Sequence, residues 1–444
     1  MALSPKAEDL QPTRSPFLVV EVWYMITDIL CDAENEEQDE GRTRAKCSSP
    51  LRDLISLSST CTWLRTILVP RIFAVIYLRN TTKSALSIKA IADSNFSGFV
   101  KEVQYVASCE SDPQKSPLED VYPPEVDTRR VSLDDDELAD YIQNFNFNDD
   151  PHAAEVEERK NAWRGLMAAS FRAILSSYSA PRYPGAQIPL SLTIHELNIV
   201  PISVFSTREF HDFLSHLTSF NMSLMHGAGW MLNTFKVFYG FPDCLGPWFF
   251  NHLTSAEEFS FDPQESAPLG DAGQRHAFDI SLRKANMPRL RKLSLGNIYL
   301  CLELKDFLLR HLDPLESISL HECYSCKDLD GVEGMSWSEL FCALADKSPT
   351  RLTCFSLHWD DDQEDLPDLD DDMGDPMLVA QVRRKLEIES DAMAFPFGYC
   401  DVSEKYGNAT HDWDANRAAF VQGDDYRSYQ DFMAIVESNA TGNH

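Results

Sequence analysis

Eight hexamers in this chain share one grammar: an apolar residue, two variable ones, an apolar residue, a polar or variable one, and a third apolar residue. They are "VKEVQY" at 100, "IHELNI" at 194, "LTSFNM" at 217, "LNTFKV" at 232, "AEEFSF" at 256, "LRKLSL" at 290, "LESISL" at 315 and "LTCFSL" at 352. The alternation over the last three positions suits a short strand whose every second side chain is buried. Leu293 and Leu295, or Ile318 and Leu320, then face inward, while Ser294 and Ser319 face out. Between hexamers, "LKDFLLRHLD" at 304–313 and "WSELFCALADK" at 337–347 carry helical apolar spacing. From 290 to 315 is 25 residues, from 232 to 256 is 24 and from 194 to 217 is 23, whereas other gaps are 15, 34 and 37. A strand–helix unit of this size buries its apolar face by stacking on the next unit, so the predicted class is α/β, an irregular strand–helix solenoid with inserts. The same hexamers also suit an irregular α/β domain.

Upstream of the hexamers lie two helical stretches. In "FLVVEVWYMITDILC" the residues Leu18, Val22, Ile26 and Ile29 fall on one helical face, and in the second stretch Leu54, Leu57, Cys61, Leu64 and Leu68 do the same. Asp53 stands near the start of the second, where a carboxylate favours the helix dipole, and Pro70 predicts its end. Two short helices and "PRIFAVIYL" cannot enclose a core of their own. Each buried Leu or Ile contributes roughly 1.5–3 kcal/mol, so these stripes must pack on the rest of the chain or on a partner.

Leu18, Val20-Glu21-Val22, Ile26 and Leu30, followed by Asp53-Leu54, Leu57, Thr60-Cys61, Leu64 and Leu68-Val69-Pro70-Arg71-Ile72-Phe73, resemble an F-box. The likeness is to the F-box at the N-terminus of fungal proteins with degenerate leucine-rich repeats, and "MPRLRKLSLGNIYL" resembles their repeat region. Val19 stands where that family usually has proline, and residues 31–50 separate halves that are normally almost contiguous. An insertion of this kind in a surface loop is entropically tolerable, about 0.6 kcal/mol per doubling of loop length.

The resemblance implies a substrate-recognition adaptor of an SCF-type ubiquitin ligase, with no catalysis by the chain itself. The F-box would dock on a Skp-type adaptor, and through it a cullin-RING ligase, by Leu18, Val22, Ile26, Ile29, Leu54, Leu57 and Leu64. Outward residues of the strands, Ser294, Gly296, Ser319, His321, Ser356 and His358, with Trp359 as an aromatic anchor, would read a target protein. The alternative is an interaction scaffold in which the N-terminal helices cap the repeats and no ligase is involved. The expected organisation is a disordered 1–15, an F-box over 16–73 with the acidic insert 31–50, and the start of the repeats over 74–107. A mobile acidic insert over 108–153, a solenoid over 154–376 and a C-terminal segment over 377–444 follow. Within the solenoid, Trp163, Met167, Phe171 and Ile174 predict one long helix over 154–178.

Charge narrows the partners. Lys+Arg number 39 and Asp+Glu 70, a net charge of −31, so phosphate backbones and anionic lipid are disfavoured and a basic target is favoured. The acid lies in runs, "AENEEQDE" at 33–40, "DDDE" at 134–137 and "DDDQEDLPDLDDDMGD" at 360–375, which read as solvated loops. Counted from Asp368, a calcium loop would need glycine where Met373 stands and glutamate where Val379 stands. Eleven scattered cysteines make no disulfide framework, and Cys323–Cys326 is a lone CxxC without the second pair that zinc needs. No signal-peptide pattern or membrane-length apolar run is present, so the expectation is an intracellular, soluble protein. The sequence contains no GxSxG, GxxxxGK[ST] or HExxH motif, and neither a cofactor nor a metal is expected.

Overall fold

The computed structural model describes residues 55–60, 62–79, 82–106, 165, 167–175, 190–198, 202–225, 234–263, 269–270, 280–326, 334–358, 376–388, 397–402 and 409–442. The chain forms two compact units, Met1–Val75 and Ile76–His444.

In the first unit, a helical turn at 55–58 ends where Ser58 Oγ, Ser59 Oγ and Thr60 Oγ1 donate to the carbonyls of Ile55, Ser56 and Leu57. Side chains of this kind compete with the helical backbone for its acceptors and close the turn. Helix α1 (Thr62–Ile72) follows, and Pro70 lies inside it rather than ending it. A proline this late removes only one backbone donor, and Phe73 N–H still reaches the Val69 carbonyl at 3.1 Å. Leu64 and Leu68 are buried, with Leu57 and Ile72 packed against them.

The second unit is a mixed α/β structure around an open eight-stranded sheet. Its strands are β1 (Val75–Arg79), β2 (Glu102–Val106), β3 (Ser191–Asn198), β4 (Ser219–Met225), β5 (Glu258–Asp262), β6 (Lys292–Gly296), β7 (Ser317–His321) and, after the two-residue β8 (Tyr324–Ser325), β9 (Cys354–His358). Strand order in the sheet follows chain order, and β2 through β7 and then β9 pair parallel. Parallel neighbours require crossovers, and between most strands helices supply them, whereas the described residues between β5 and β6 hold no helix. The crossover helices are α2 (Thr82–Ala92), a helical stretch at 167–175, α3 (Arg208–Ser215), α4 (Thr234–Trp248), α5 (Leu302–His311) and α6 (Trp337–Lys347).

Register aligns the hexamers. One buried rung runs Val103, Leu192, Phe220, Phe259, Leu293, Ile318, Phe355, and a second runs Tyr105, Ile194, Met222, Phe261, Leu295, Leu320, Leu357. All but the partly buried Leu357 belong to the buried core. Behind the rungs, aromatic rings fill the space to the helices: Phe205 lies 4.8 Å from Phe249 and 5.0 Å from Phe171, and Phe341 lies 5.9 Å from Phe355. Met167, Phe171 and Ile174 are all fully buried, while Trp163 and the rest of the helix expected over 154–178, apart from 165 and 167–175, lie outside the described residues. Past β6 and β7 the chain exits identically. Asn297 (φ 49) and Glu322 (φ 47) take left-handed backbone, and their N–H groups donate to the carbonyls of His321 and His358, each at 2.9 Å.

Two hexamers do not behave as read. "LNTFKV" at 232 enters α4 instead of a strand, because the apolar residues after it, Phe241, Leu245 and Phe249, recur every four and are buried. "IHELNI" at 194 is framed too late, since β3 begins at Ser191 and turns in Leu192 and Ile194. A bulge then sets Ile194 opposite Met222 but Leu197 opposite Leu224, and left-handed Glu196 (φ 54) absorbs the extra residue.

The C-terminal part consists of α7 (Pro376–Ile388), β10 (Gly398–Val402), β11 (Ala409–His411), α8 (Trp413–Gln422) and α9 (Asp424–Gly442). Strand β10 pairs parallel with β8 and antiparallel with β11. Helix α6 opens on a reciprocal cap between Ser336 and Glu339, and α8 opens on Asp412, whose carboxylate accepts from Ala415 N–H at 2.9 Å. Phe432 of α9 is buried 5.1 Å from Phe355, so α9 closes the core beside β9. Among the described residues no helix is long and apolar enough to cross a membrane.

Candidate functional site

The strand pleat that buries the two rungs turns the intervening residues to the opposite face of the sheet. On that face a row of small polar side chains runs across seven strands: Gln104, Thr193, Asn221, Ser260, Ser294, Ser319, Ser356. In the six hexamers whose frame holds, it is always the fifth position. Hydroxyls and amides both donate and accept, so the row offers hydrogen bonds repeated at the inter-strand spacing of roughly 4.8 Å.

Charge is confined to the flanks. On the N-terminal side, Glu102, Ser191, Ser219, Glu258, Lys292, Ser317 and Cys354 are aligned. Gln104 Nε2 donates to Glu102 Oε1 at 2.8 Å, and Thr193 Oγ1 donates to the same oxygen at 3.3 Å. Lys292 Nζ bridges to Glu258 Oε1 at 2.7 Å, and that carboxylate holds the ammonium above its usual range. On the C-terminal side, Gly296, His321 and His358 are aligned. There Asn297 Nδ2 donates to Asp262 Oδ1 at 2.9 Å.

The structure brings most of the expected target-reading residues onto this one face. Ser294, Ser319, His321 and Ser356 are half-buried and His358 is exposed. Gly296 is buried beneath Asp262, and a Cβ on it would lie 2.9 Å from Asp262 Cγ. Trp359 lies outside the described residues. So do Leu18, Val22, Ile26, Ile29 and Leu54 of the expected adaptor-binding set. Of the two that are described, Leu57 is half-buried and Leu64 is buried.

Sequence reasoning passed over Gln104, Thr193, Asn221 and Ser260, although the fifth hexamer position marks three of them. It also passed over Tyr77, an aromatic 46% exposed on β1, whose neighbours Ile76 and Leu78 are buried. The alternation of "VIYLR" carries that signal, but this strand has no hexamer. Among the described residues no group of three or more His, Cys, Asp or Glu is placed to hold a metal ion. Comparison with family models, with curated proteins and with solved structures found no match for this chain.

Proposed function

We propose that this chain is a substrate-recognition adaptor of an SCF-type ubiquitin ligase. Residues 16–73 act as an F-box on a Skp-type adaptor, and the outer face of the sheet binds a target protein. The observation that carries the reading is the in-register polar row from Gln104 to Ser356, flanked by charge and by the exposed Tyr77. Sequential parallel strands built on one hexamer frame support an irregular leucine-rich-repeat solenoid. The chain's contribution is proximity: a tethered target presents its lysines at high effective concentration to the charged ubiquitin carrier.

A second reading rests on Leu64 and Leu68. Both are buried within this chain, as expected of a leucine-rich-repeat scaffold whose N-terminal helices serve the fold and not a ligase.

Affinity purification of the full chain followed by mass spectrometry separates the two. On the adaptor reading, the wild-type chain captures a Skp-type adaptor and a target. Ile55→Asp, at an apolar residue 49% exposed, and Leu57→Asp both lose the Skp-type adaptor while keeping the target. Ser294→Arg with Ser319→Arg does the reverse. Absence of any Skp-type adaptor from the wild-type capture, with the target retained, replaces the adaptor by the scaffold.

A further inference from the structure

We propose that Cys326 and Cys400 are a modification site, a thiol pair that closes into a reversible disulfide and fastens strand β10 to β8. The two Sγ atoms lie 3.2 Å apart and both residues are buried. Their adjacency is built into the sheet. Gly398 is registered on Tyr324 and Tyr399 on Ser325, so Cys400 and Cys326 are the next pair along. Parallel neighbours sit at roughly 4.8 Å, inside the Cα separation of about 4.4–6.8 Å that a disulfide spans. Tyr299 and Tyr324 complete a small apolar cluster around the two sulfurs.

Cys323, the CxxC partner in sequence, directs its Sγ to the Leu295 carbonyl at 3.7 Å, and burial pushes its thiol up to about 12. Cys342 and Cys354 are exposed on α6 and β9.

The oxidant is a low-molecular-weight disulfide such as oxidised glutathione. One cysteine loses its proton and attacks the glutathione disulfide, expelling one glutathione thiol and leaving a mixed disulfide. The second cysteine loses its proton, attacks the protein sulfur of that intermediate and expels the second glutathione. Two protein thiols and one glutathione disulfide become one protein disulfide and two glutathione thiols, a two-electron exchange.

The consequence follows from what β10 holds. It meets β8 over only two register pairs. Yet Tyr399 of β10 donates through its hydroxyl to Asp425 Oδ2 at 2.6 Å, and its backbone N–H and carbonyl are both engaged by Asn416, at 2.8 and 3.0 Å. Through these bonds β10 carries α8 and α9, the second of which closes the core beside β9. A covalent link at 326–400 ties that C-terminal closure to the strand following β7 and shortens the unfolded chain's reach.

The test uses the full chain, equilibrated first with dithiothreitol and then with excess oxidised glutathione, alkylated, digested without reduction and mapped by mass spectrometry. The expected product is a Cys326–Cys400 linked peptide lighter by two hydrogens. It should disappear on return to dithiothreitol and be missing from both Cys326→Ala and Cys400→Ala. Backbone hydrogen exchange at 398–402 should slow on oxidation in the wild type and stay unchanged in either variant. Cys342 and Cys354 report that the oxidant reached the protein. Glutathionylation of these exposed cysteines with no 326–400 link overturns the proposal, as does a link between any other pair.

Discussion

The backbone N–H of Met287 donates to Nε2 of His311 across 3.1 Å, while Nδ1 of the same buried ring donates to the Phe307 carbonyl at 2.9 Å. One nitrogen must accept and the other donate, so the ring is neutral in the folded chain. Burial, with Arg310 nearby, holds the His311 pKa below its ordinary value. His211 is lowered as well, by burial and by His252, on which it stacks at 3.7 Å between ring centroids.

Acid should therefore loosen the second unit. Unfolded, these rings titrate near about 6.5, so below that pH the unfolded chain takes up protons that the folded chain refuses. Their stabilising contribution is complete above about pH 6.5 and is lost as pH falls through the lower folded values. The thermal midpoint should fall as the pH drops below about 6.5, and His311→Leu should flatten part of that slope. His311→Leu should also lower the midpoint at neutral pH, because Met287 N–H loses its acceptor, at about 1–3 kcal/mol.

Glu303 makes a sharper test of buried polar satisfaction. From the first turn of α5 its carboxylate accepts the backbone N–H groups of Ile280 at 3.0 Å, Leu282 at 2.6 Å and Arg283 at 2.8 Å. Removing it leaves three donors without their acceptor, each worth about 1–3 kcal/mol. Chemical denaturation of Glu303→Ala should show a loss of at least about 3 kcal/mol. Glu303→Gln retains one amide oxygen and should fall between that variant and the wild type.

The two faces of a single strand predict opposite outcomes. Phe259 is 1% exposed, between Phe220 at 6.3 Å and Phe250 at 5.2 Å, so Phe259→Ala should cost about 3–5 kcal/mol in denaturation. Ser260, the next residue, belongs to the polar row, and Ser260→Ala should change stability by no more than about 0.5 kcal/mol. On the proposed function, the same Ser260→Ala weakens target capture.

This contrast also explains what could be read in advance. Six hexamer frames were legible because the alternation in residues such as Phe259-Ser260-Phe261 is a local property of the pleat. Helices α5 and α6 were legible through their period, and α6 has the further mark of Ser336 three residues before Glu339. What stayed hidden depends on distant partners. Nothing near Ile194 announces that Glu196 will bulge, since the bulge is defined against Met222 and Leu224 of another strand. The fate of "LNTFKV" was decided by residues beyond the hexamer. The meeting of Cys326 with Cys400, 74 residues apart in sequence, is set by the register of β8 on β10 and by no local pattern.

Gly296 shows how the polar face depends on one missing side chain. A methyl group there would sit 2.9 Å from Asp262 Cγ and 3.1 Å from Asp262 Oδ1, closer than packed atoms settle. The aspartate would have to swing away from Asn297, whose Nδ2 it now accepts at 2.9 Å. Asn297 is itself buried in left-handed backbone, so a displaced Asp262 would leave a buried amide donor short of its partner. Gly296→Ala should destabilise the fold by about 1–3 kcal/mol in chemical denaturation. Adding Asp262→Ala should cost less than the two separate losses combined, because the carboxylate that clashes is then gone. Strict additivity in that double-mutant cycle would mean that Asp262 does not sit over Gly296.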